Sequence, residues 1–205
     1  MVFRVILPLY AVLAIVGILA NRSRVSRQIG RDPIVVRPLR VTDAPHRYLE
    51  SVLLVAGVIL ACDVLLNAIV PDAVAQRWAV PALRQSTVFR WLGLASMTGG
   101  LFLCAVAVTQ MGASWRIGID RETPGSLVSG GVFQKVRHPI YAGMLLVASG
   151  MALVTGDLIS IAVAAAAWVG IPVQARLEEE FLLSRHGEEY RTYRARTGRF
   201  FPTRR

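Results

Sequence analysis

Residues 137–143 read RHPIYAG, and this stretch marks the point where a polar segment gives way to an apolar one. Pro139 suits the first turn of a helix, where the missing N–H would have no partner. The apolar run that follows is interrupted at Thr155-Gly156-Asp157, which predicts a tight hairpin of helices over 139–155 and 158–175. Charge returns beyond the hairpin at Glu178-Glu179-Glu180. Because the two ends of a hairpin lie side by side, the motif and the glutamates are expected to meet.

The composition indicates a membrane protein. The 205 residues are 54% hydrophobic with a mean hydropathy of +0.51, which soluble domains of this length rarely reach. Three further apolar runs, at 5–20, 48–70 and 88–109, approach or reach the length needed to cross a bilayer. We therefore predict an all-α integral membrane protein with about five transmembrane helices, the last two forming the hairpin. Residues 1–109 would be a three-span membrane region and 110–205 a C-terminal catalytic region.

The net charge of +10 has two interpretations, nucleic-acid binding or membrane topology. The basic residues fall between apolar runs instead of forming one basic face, which favours topology, and no nucleic acid is expected. Segments 21–47, 110–138 and 176–205 carry most of them. We read 21–47 as a loop at the cytoplasmic headgroups, with the N-terminus outside and the C-terminus and the site in the cytoplasm.

Several residues inside the apolar runs need a separate interpretation. Asp63 is either a functional intramembrane carboxylate or a paired structural one. The glycines 93, 99 and 100 indicate close helix packing. Cys62 and Cys104 lack metal-ligand spacing and are read as packing residues, so neither a disulfide nor a metal site is predicted.

The residues at the polar end of the hairpin predict the chemistry of a ligand. Arg137 and His138 can bind an anionic group, and Tyr141 lies on the same helix face as His138. Glu178 and Glu179 can bind an ammonium group or ribose hydroxyls. A ligand with a carboxylate, an amine, a ribose and a sulfonium, such as S-adenosylmethionine, would use all of these groups. From the residues alone, a nucleotide fits nearly as well.

The order of several short sequence blocks helps to choose between S-adenosylmethionine and a nucleotide. They are 127–133 (LVSGGVF), 137–143, Glu178-Glu179, Leu182, Gly187, Tyr190, Tyr193 and 199–202 (RFFP). With these blocks, residues from about 110 to 202 resemble the isoprenylcysteine carboxyl methyltransferase family of integral membrane enzymes. Residues 111–120 resemble bacterial members, from which we expect the bacterial inner membrane.

The resemblance implies an S-adenosylmethionine-dependent methyltransferase, whose product is S-adenosylhomocysteine. The cofactor would lie in a cytoplasmic pocket, and a lipophilic or lipid-modified acceptor would enter from the bilayer. Carried over by position, the cofactor-binding residues are Ser126, Leu127, Val128, Phe133, Arg137, His138, Pro139, Ile140, Tyr141 and Glu178.

The acceptor side departs from the family pattern. The resemblance implies an acceptor-binding arginine at the position of Gln174, and Arg176 is the nearest substitute. A carboxylate acceptor needs no base, whereas an amine, thiol or phenol would need Glu179 or His186. Arg176 and Glu179 are therefore the catalytic candidates.

The sequence predicts no oligomeric state. Two other functions remain possible from the sequence. One is an NADPH-dependent membrane reductase of the sterol type, which resembles this family in its C-terminal helices. The other is a non-catalytic membrane protein that binds anionic lipid.

Overall fold

The computed structural model describes residues 2–30, 32–33, 55, 57–66, 69, 78–115 and 126–203. Its helices are α1 (Val2–Ile29), α2 (Gly57–Leu66), α3 (Pro81–Arg84), α4 (Thr87–Met111), α5 (Pro139–Thr155) and α6 (Leu158–Arg196). Short 3₁₀ turns cover Gly112–Ser114 and Gly131–Gln134. Two isolated bridges are the only β-pairing in these ranges, so the all-α class is confirmed.

Three helices are long and apolar enough to cross a bilayer within the described ranges, at Val5–Ile29, Thr87–Ser114 and Leu158–Arg196. Helix α6 has 39 residues. It is broken at Gly187, where φ is 53°, so its continuous stretch 158–186 is about 44 Å long at 1.5 Å per residue, about one and a half times the thickness of the hydrocarbon core. Its first part, 158–175, is apolar, and its last part, 176–196, is polar.

The predicted hairpin is confirmed. Helix α5 ends at Thr155, Gly156 takes a left-handed conformation with φ 60°, and α6 begins at Leu158. Asp157 caps α6, since its Oδ1 accepts a hydrogen bond from the backbone N–H of Ser160 at 2.9 Å. The turn is covered by the segment before α3, where the N–H of Val80 donates to the carbonyl of Gly156.

Two predicted boundaries are wrong. The loop predicted from residue 21 is helical as far as Ile29, because 21–29 contains neither proline nor glycine and is rich in arginine, a good helix former. The polar segment after 175 is not separate from the hairpin, since α6 continues through Pro172 and is non-helical only at Gly187, with φ 53°. Most of the predicted loop and parts of the second span and of the 110–138 segment lie outside the described residues.

The antiparallel helices α4 and α5 approach each other closely at two pairs of glycines. We call this line of contact the glycine seam. A Cβ on Gly93 would lie 2.6 Å from the carbonyl oxygen of Gly150, and one on Gly100 would lie 2.6 Å from that of Gly143. Both contacts are with backbone, so the two backbones touch. A Cβ on Gly99 would meet nothing within 4 Å. The prediction of close packing is therefore confirmed for Gly93 and Gly100 and wrong for Gly99.

Side chains on α4 also bond to the backbone of α5 along this seam. Ser96 Oγ donates to the carbonyl of Leu146 at 2.8 Å, and Cys104 Sγ donates to that of Ile140 at 3.4 Å. Asp63 on α2 is buried, next to the cluster that Val64 forms with residues of α4 and α5. The seam fixes the start of α5, which carries the motif, against the end of α4.

Candidate active site at the polar end of the hairpin

The carboxylate of Glu179 is the centre of the polar cluster. It is 2% exposed, at the point where α6 leaves its apolar part. Arg137 Nε donates to Oε1 at 3.1 Å, while Arg199 donates from Nε to Oε1 at 3.0 Å and from Nη2 to Oε2 at 2.8 Å. The Arg199 contact is bidentate, the strongest arrangement of this pair. Two guanidinium groups therefore compensate one buried carboxylate.

This environment decides the protonation of Glu179. Burial alone would raise the pKa of its carboxyl, but the contact with His138, the hydrogen bonds from Arg199 and the charge of Arg137 together hold the pKa well below its usual range. Glu179 is therefore ionised at neutral pH. A carboxylate of such low basicity is a poor general base.

The imidazole of His138 lies between two carboxylates. Its Nδ1 is 3.6 Å from Oε2 of Glu178, and its Nε2 is 3.3 Å from Oε1 of Glu179, without the alignment of a hydrogen bond. The ring stacks on Tyr141, with centroids 5.5 Å apart. His138 is the N-cap residue of α5, yet its side chain makes no capping hydrogen bond. The side chain of His138 therefore contacts the two glutamates and Tyr141 and does not cap the helix.

Residues 197–200, which we call the strap, run parallel to the start of the motif. The N–H groups of Arg137 and His138 donate to the carbonyls of Gly198 and Arg199, at 2.8 and 3.0 Å. The guanidinium of Arg137 also donates to the carbonyl of Thr197. The strap therefore fixes the backbone of the motif and delivers Arg199 to Glu179.

The last part of α6 holds the loop before the motif. Tyr193 donates its hydroxyl to the carbonyl of Phe133 at 2.7 Å, and Phe133 is buried. Burial raises the pKa of Tyr193 to about 12, so the hydroxyl keeps its proton and the hydrogen bond persists at neutral pH. This contact joins the loop, the motif and α6 into one unit.

Gln110, near the end of α4, holds the other side of the same loop. Its Oε1 accepts a hydrogen bond from the N–H of Val132 at 2.8 Å. Gly131 has φ 60°, and a Cβ there would lie 2.2 Å from that oxygen. Only glycine combines this conformation with this close approach.

We expect Gly131→Ala to destabilise the protein by about 1–2 kcal/mol, because a Cβ is strained in the left-handed conformation at φ 60° and the flexible Gln110 side chain must move aside to admit it. The matched control is Gly130→Ala, because Gly130 has φ −92° and a Cβ there would meet nothing within 4 Å. Thermal unfolding in detergent measures both. Equal melting temperatures for the two variants would show that neither the left-handed conformation of Gly131 nor the contact with Gln110 contributes to stability.

The predicted site residues fall into two groups. The structure brings Arg137, His138, Tyr141 and Glu178 together around Glu179. The other predicted cofactor-binding residues make neither a hydrogen bond nor an ion pair with Glu179 in the described part of the chain, and they are Ser126, Leu127, Val128, Phe133, Pro139 and Ile140.

Their contacts show how each is placed. Pro139 is fully buried at the start of α5, and Phe133 and Val128 lie in the loop, buried and half-buried. Ser126 is exposed and its carbonyl accepts a hydrogen bond from Ser114 at 3.5 Å. Leu127 lines an open groove of about 450 Å³ between the loop and the last turns of α6.

The two other candidates for acceptor chemistry lie away from the buried centre. The side chain of Arg176 is 74% exposed and its Nε lies 3.3 Å from Oε1 of Glu180. His186 Nδ1 lies 3.9 Å from Oε2 of Glu189. A role for Arg176 in acceptor binding stays a prediction, and the geometry offers no contact that supports it.

Arg199 and the backbone of the strap are the site residues that the sequence analysis did not assign. The block 199–202 was noted for its resemblance, so a signal was present, but its link to Glu179 depends on folding. Gln174 and Tyr190 are also buried close to this region, at 5% and 1% exposure.

Comparisons with known proteins show which families and structures this chain is similar to. A family model described as phospholipid methyltransferase matches residues 88–189. Protein-S-isoprenylcysteine O-methyltransferase of Schizosaccharomyces pombe is 28% identical over 111 residues, 53% of this chain and 47% of the relative. Protein-S-isoprenylcysteine O-methyltransferase B of Arabidopsis thaliana is 33% identical over 119 residues, 57% and 60% of the two chains.

A solved structure is also similar. It is that of the eukaryotic intramembrane Ras methyltransferase, isoprenylcysteine carboxyl methyltransferase, without a monobody. The TM-score is 0.54 at 27% identity, over 60% of this chain and 45% of that chain. The chain spans about half the length of the curated relatives that it matches.

Proposed function

Because this chain belongs to the isoprenylcysteine carboxyl methyltransferase-like family of integral membrane proteins, we propose that it transfers a methyl group from S-adenosylmethionine to a lipophilic acceptor. The names of the relatives make an isoprenylcysteine carboxylate the first acceptor class to test. The basic segments support a site on the cytoplasmic side of the membrane, and the resemblance to bacterial members supports an inner-membrane location.

The observation that carries the proposal is the position of His138 against Glu178 and Glu179. Two segments forty residues apart in sequence meet at the polar end of the hairpin, within 3.6 Å. Glu178 is 35% exposed on its side chain while Glu179 is buried. The carboxylate of Glu178 can therefore reach a ligand, and that of Glu179 holds the side chains of the cluster in place.

The chemistry of the donor set fits S-adenosylmethionine. Two buried polar atoms, Gln174 Oε1 and Tyr190 Oη, have no hydrogen-bond partner among the described residues, and His138 Nε2 lies 3.3 Å from Oε1 of Glu179 without the alignment of a hydrogen bond. Buried polar atoms are nearly always paired in native proteins, so orphaned atoms around one site indicate a polar ligand. An ammonium group, a carboxylate and ribose hydroxyls supply the donors and acceptors that these atoms and Glu178 require.

Each residue then has a stated task. S-adenosylmethionine supplies an electrophilic methyl group on a cationic sulfur. Glu178 binds the positive or hydroxyl-bearing part of the cofactor, and His138, stacked on Tyr141, binds beside it. Glu179 positions His138 and Arg137 and takes no proton. Rate enhancement comes from alignment of the reactants and exclusion of water, which the preorganised, buried cluster around Glu179 provides.

Calorimetric titration of the detergent-purified protein tests the proposal. We expect saturable binding of S-adenosylmethionine and S-adenosylhomocysteine, and none of NADPH. Binding of NADPH alone would contradict the proposed methyl transfer and indicate a reductase.

A variant pair then tests the location of the site. Glu178→Gln should weaken S-adenosylmethionine binding by roughly 10-fold or more, because a hydrogen bond to a charged group contributes about 1.5–3 kcal/mol. The matched control is Glu180→Gln, since Glu180 is exposed and bonded only to Arg176 in the described chain. The melting temperature should stay close to the original in both variants. Equal affinities for the two variants would move the cofactor away from the hairpin end.

A further inference from the structure

A second polar cluster lies at the other end of the hairpin from the candidate active site. Helix α5 has 17 residues, about 25 Å at 1.5 Å per residue, so most of the thickness of a hydrocarbon core separates the two ends. At the far end, a Cβ on Gly156 would lie 2.7 Å from the backbone nitrogen of Arg84 in α3. Asp157 follows Gly156 and forms an antiparallel bridge with Ala79. The proposed methyl transfer uses none of these residues.

Asp157 has a buried carboxylate oxygen that lacks a donor. The residue is 2% exposed, and while its Oδ1 caps α6, its Oδ2 has no hydrogen-bond partner among the described residues. The two nearby hydroxyl groups are already engaged as donors, Thr155 Oγ1 to the carbonyl of Met151 and Ser160 Oγ to that of Asp157. Because buried polar atoms are nearly always paired, Oδ2 requires a donor from a bound molecule.

Arg84 has the complementary group. Its Nη1 is buried and also has no hydrogen-bond partner in the described part of the chain, so it does not donate to Asp157. Arg90, in the first turn of α4, brings a second guanidinium close enough for the two positive charges to interact. Neighbouring guanidinium groups attract an anion, and their planar forks match the geometry of a phosphate.

The surface at this end of the hairpin is typical of a membrane interface. Trp78 and Trp91 are at least half exposed, and tryptophan is enriched at the level of the lipid headgroups. Val88 and Leu158, which are close to the cluster in sequence, also expose large apolar side chains. The molecules that this cluster meets are therefore phospholipids, each of which carries a phosphate.

We infer that Arg84 and Asp157 form a binding site for a phospholipid headgroup that carries a phosphate and a primary ammonium group. The guanidinium of Arg84 binds the phosphate, supported by the charge of Arg90, and Oδ2 of Asp157 accepts a hydrogen bond from the ammonium. The site is separate from the methyl-transfer site, since the length of α5 lies between them. A bound lipid connects α3 to the hairpin turn.

The site predicts an order of affinities among phospholipids with the same acyl chains. Phosphatidylethanolamine has the N–H donors that Asp157 needs. Phosphatidylcholine has the same phosphate, but its trimethylated nitrogen has no N–H to donate. Phosphatidylglycerol offers only neutral hydroxyl donors, and hydrogen bonds between neutral and charged groups are weaker than those between two charged groups.

Native mass spectrometry of the protein in mild detergent, titrated with the three dioleoyl lipids, measures these affinities. We expect phosphatidylethanolamine to bind at least ~10-fold more tightly than phosphatidylcholine, the effect of one hydrogen bond between charged groups. Phosphatidylglycerol should fall between them.

Variants connect the preference to the residues. Asp157→Asn keeps a capping oxygen at the start of α6 but removes the carboxylate, so phosphatidylethanolamine should bind no more tightly than phosphatidylcholine. Arg84→Gln should weaken both lipids by about 10-fold, since they share the phosphate contact. Arg84→Lys keeps the charge without the planar fork and should have an intermediate effect.

Arg191→Gln is the matched control, because it removes an exposed arginine from the polar part of α6, at the other end of the hairpin. It should leave the lipid preference unchanged. S-adenosylmethionine affinity should stay within about 2-fold of the original in Arg84→Gln and Asp157→Asn, since these residues are far from His138.

Three results would overturn the inference: equal binding of phosphatidylethanolamine and phosphatidylcholine to the wild-type protein, tighter binding of phosphatidylglycerol than of phosphatidylethanolamine, or a preference that survives in Asp157→Asn. Equal binding of all three lipids would mean that water alone satisfies the two buried atoms. If Arg84→Gln does not fold, the wild-type comparison and Asp157→Asn still decide the question.

Discussion

Glu179→Gln should be the most damaging single substitution at the candidate site, lowering stability by about 3–5 kcal/mol, as expected when one partner of a buried ion pair is removed. The amide cannot compensate the guanidinium groups of Arg137 and Arg199, and Arg137 is only 9% exposed on its side chain. The strap and the motif would lose their common anchor. Binding of S-adenosylmethionine should be lost with them.

The experiment compares thermal unfolding and cofactor titration for Glu179→Gln and Glu180→Gln. The two substitutions remove the same charge from adjacent positions, but Glu180 is 62% exposed on its side chain, where an ion pair contributes little. Only Glu179→Gln should change the melting temperature or the affinity for S-adenosylmethionine. Wild-type stability in Glu179→Gln would show that the arginines do not depend on this carboxylate.

The second large effect is expected at the glycine seam. Gly100→Ala would place a Cβ 2.6 Å from the carbonyl oxygen of Gly143 and 2.9 Å from Cγ2 of Val147. Because the first of these is backbone, the helices must separate, at a cost of about 1–3 kcal/mol. Gly143 is the last residue of the 137–143 motif, so separation also displaces the motif that carries His138.

Gly99→Ala is the control, one residue away on the same helix. It has open space around the new Cβ, and alanine is the better helix former by about 1 kcal/mol. We expect Gly100→Ala to lower the melting temperature in detergent and weaken S-adenosylmethionine binding, and Gly99→Ala to leave both unchanged or slightly improved. A similar loss in both variants would show that the backbone contact between Gly100 and Gly143 is not the cause.

The hairpin was predictable because its signals are local. A proline at the start, a glycine and a capping aspartate at the turn, and apolar runs on both sides each act within a few residues. The meeting of His138 with Glu178 followed from that geometry. The outward position of Gly99 was not predictable, since adjacent glycines carry the same signal and only the helix crossing decides which one faces α5.

Glu179 shows the limit of sequence reasoning more clearly. Three consecutive glutamates look alike, yet one is buried and held by arginines, one is half-exposed and one pairs at the surface. Its partners come from 42 residues before and 20 residues after it. No periodicity or local motif encodes such pairing, so the contacts of Glu179 with Arg137 and Arg199 could not be predicted from the sequence.

The parallel pairing of the strap with the motif also has a consequence for how the protein inactivates. Undocking of the motif, of the strap or of this part of α6 would remove at least one charged partner from the buried cluster around Glu179, which makes every half-assembled form unfavourable. The polar end of the hairpin therefore behaves as one cooperative unit. Heat or denaturant should convert fully active molecules directly into inactive ones, with no intermediate of reduced affinity.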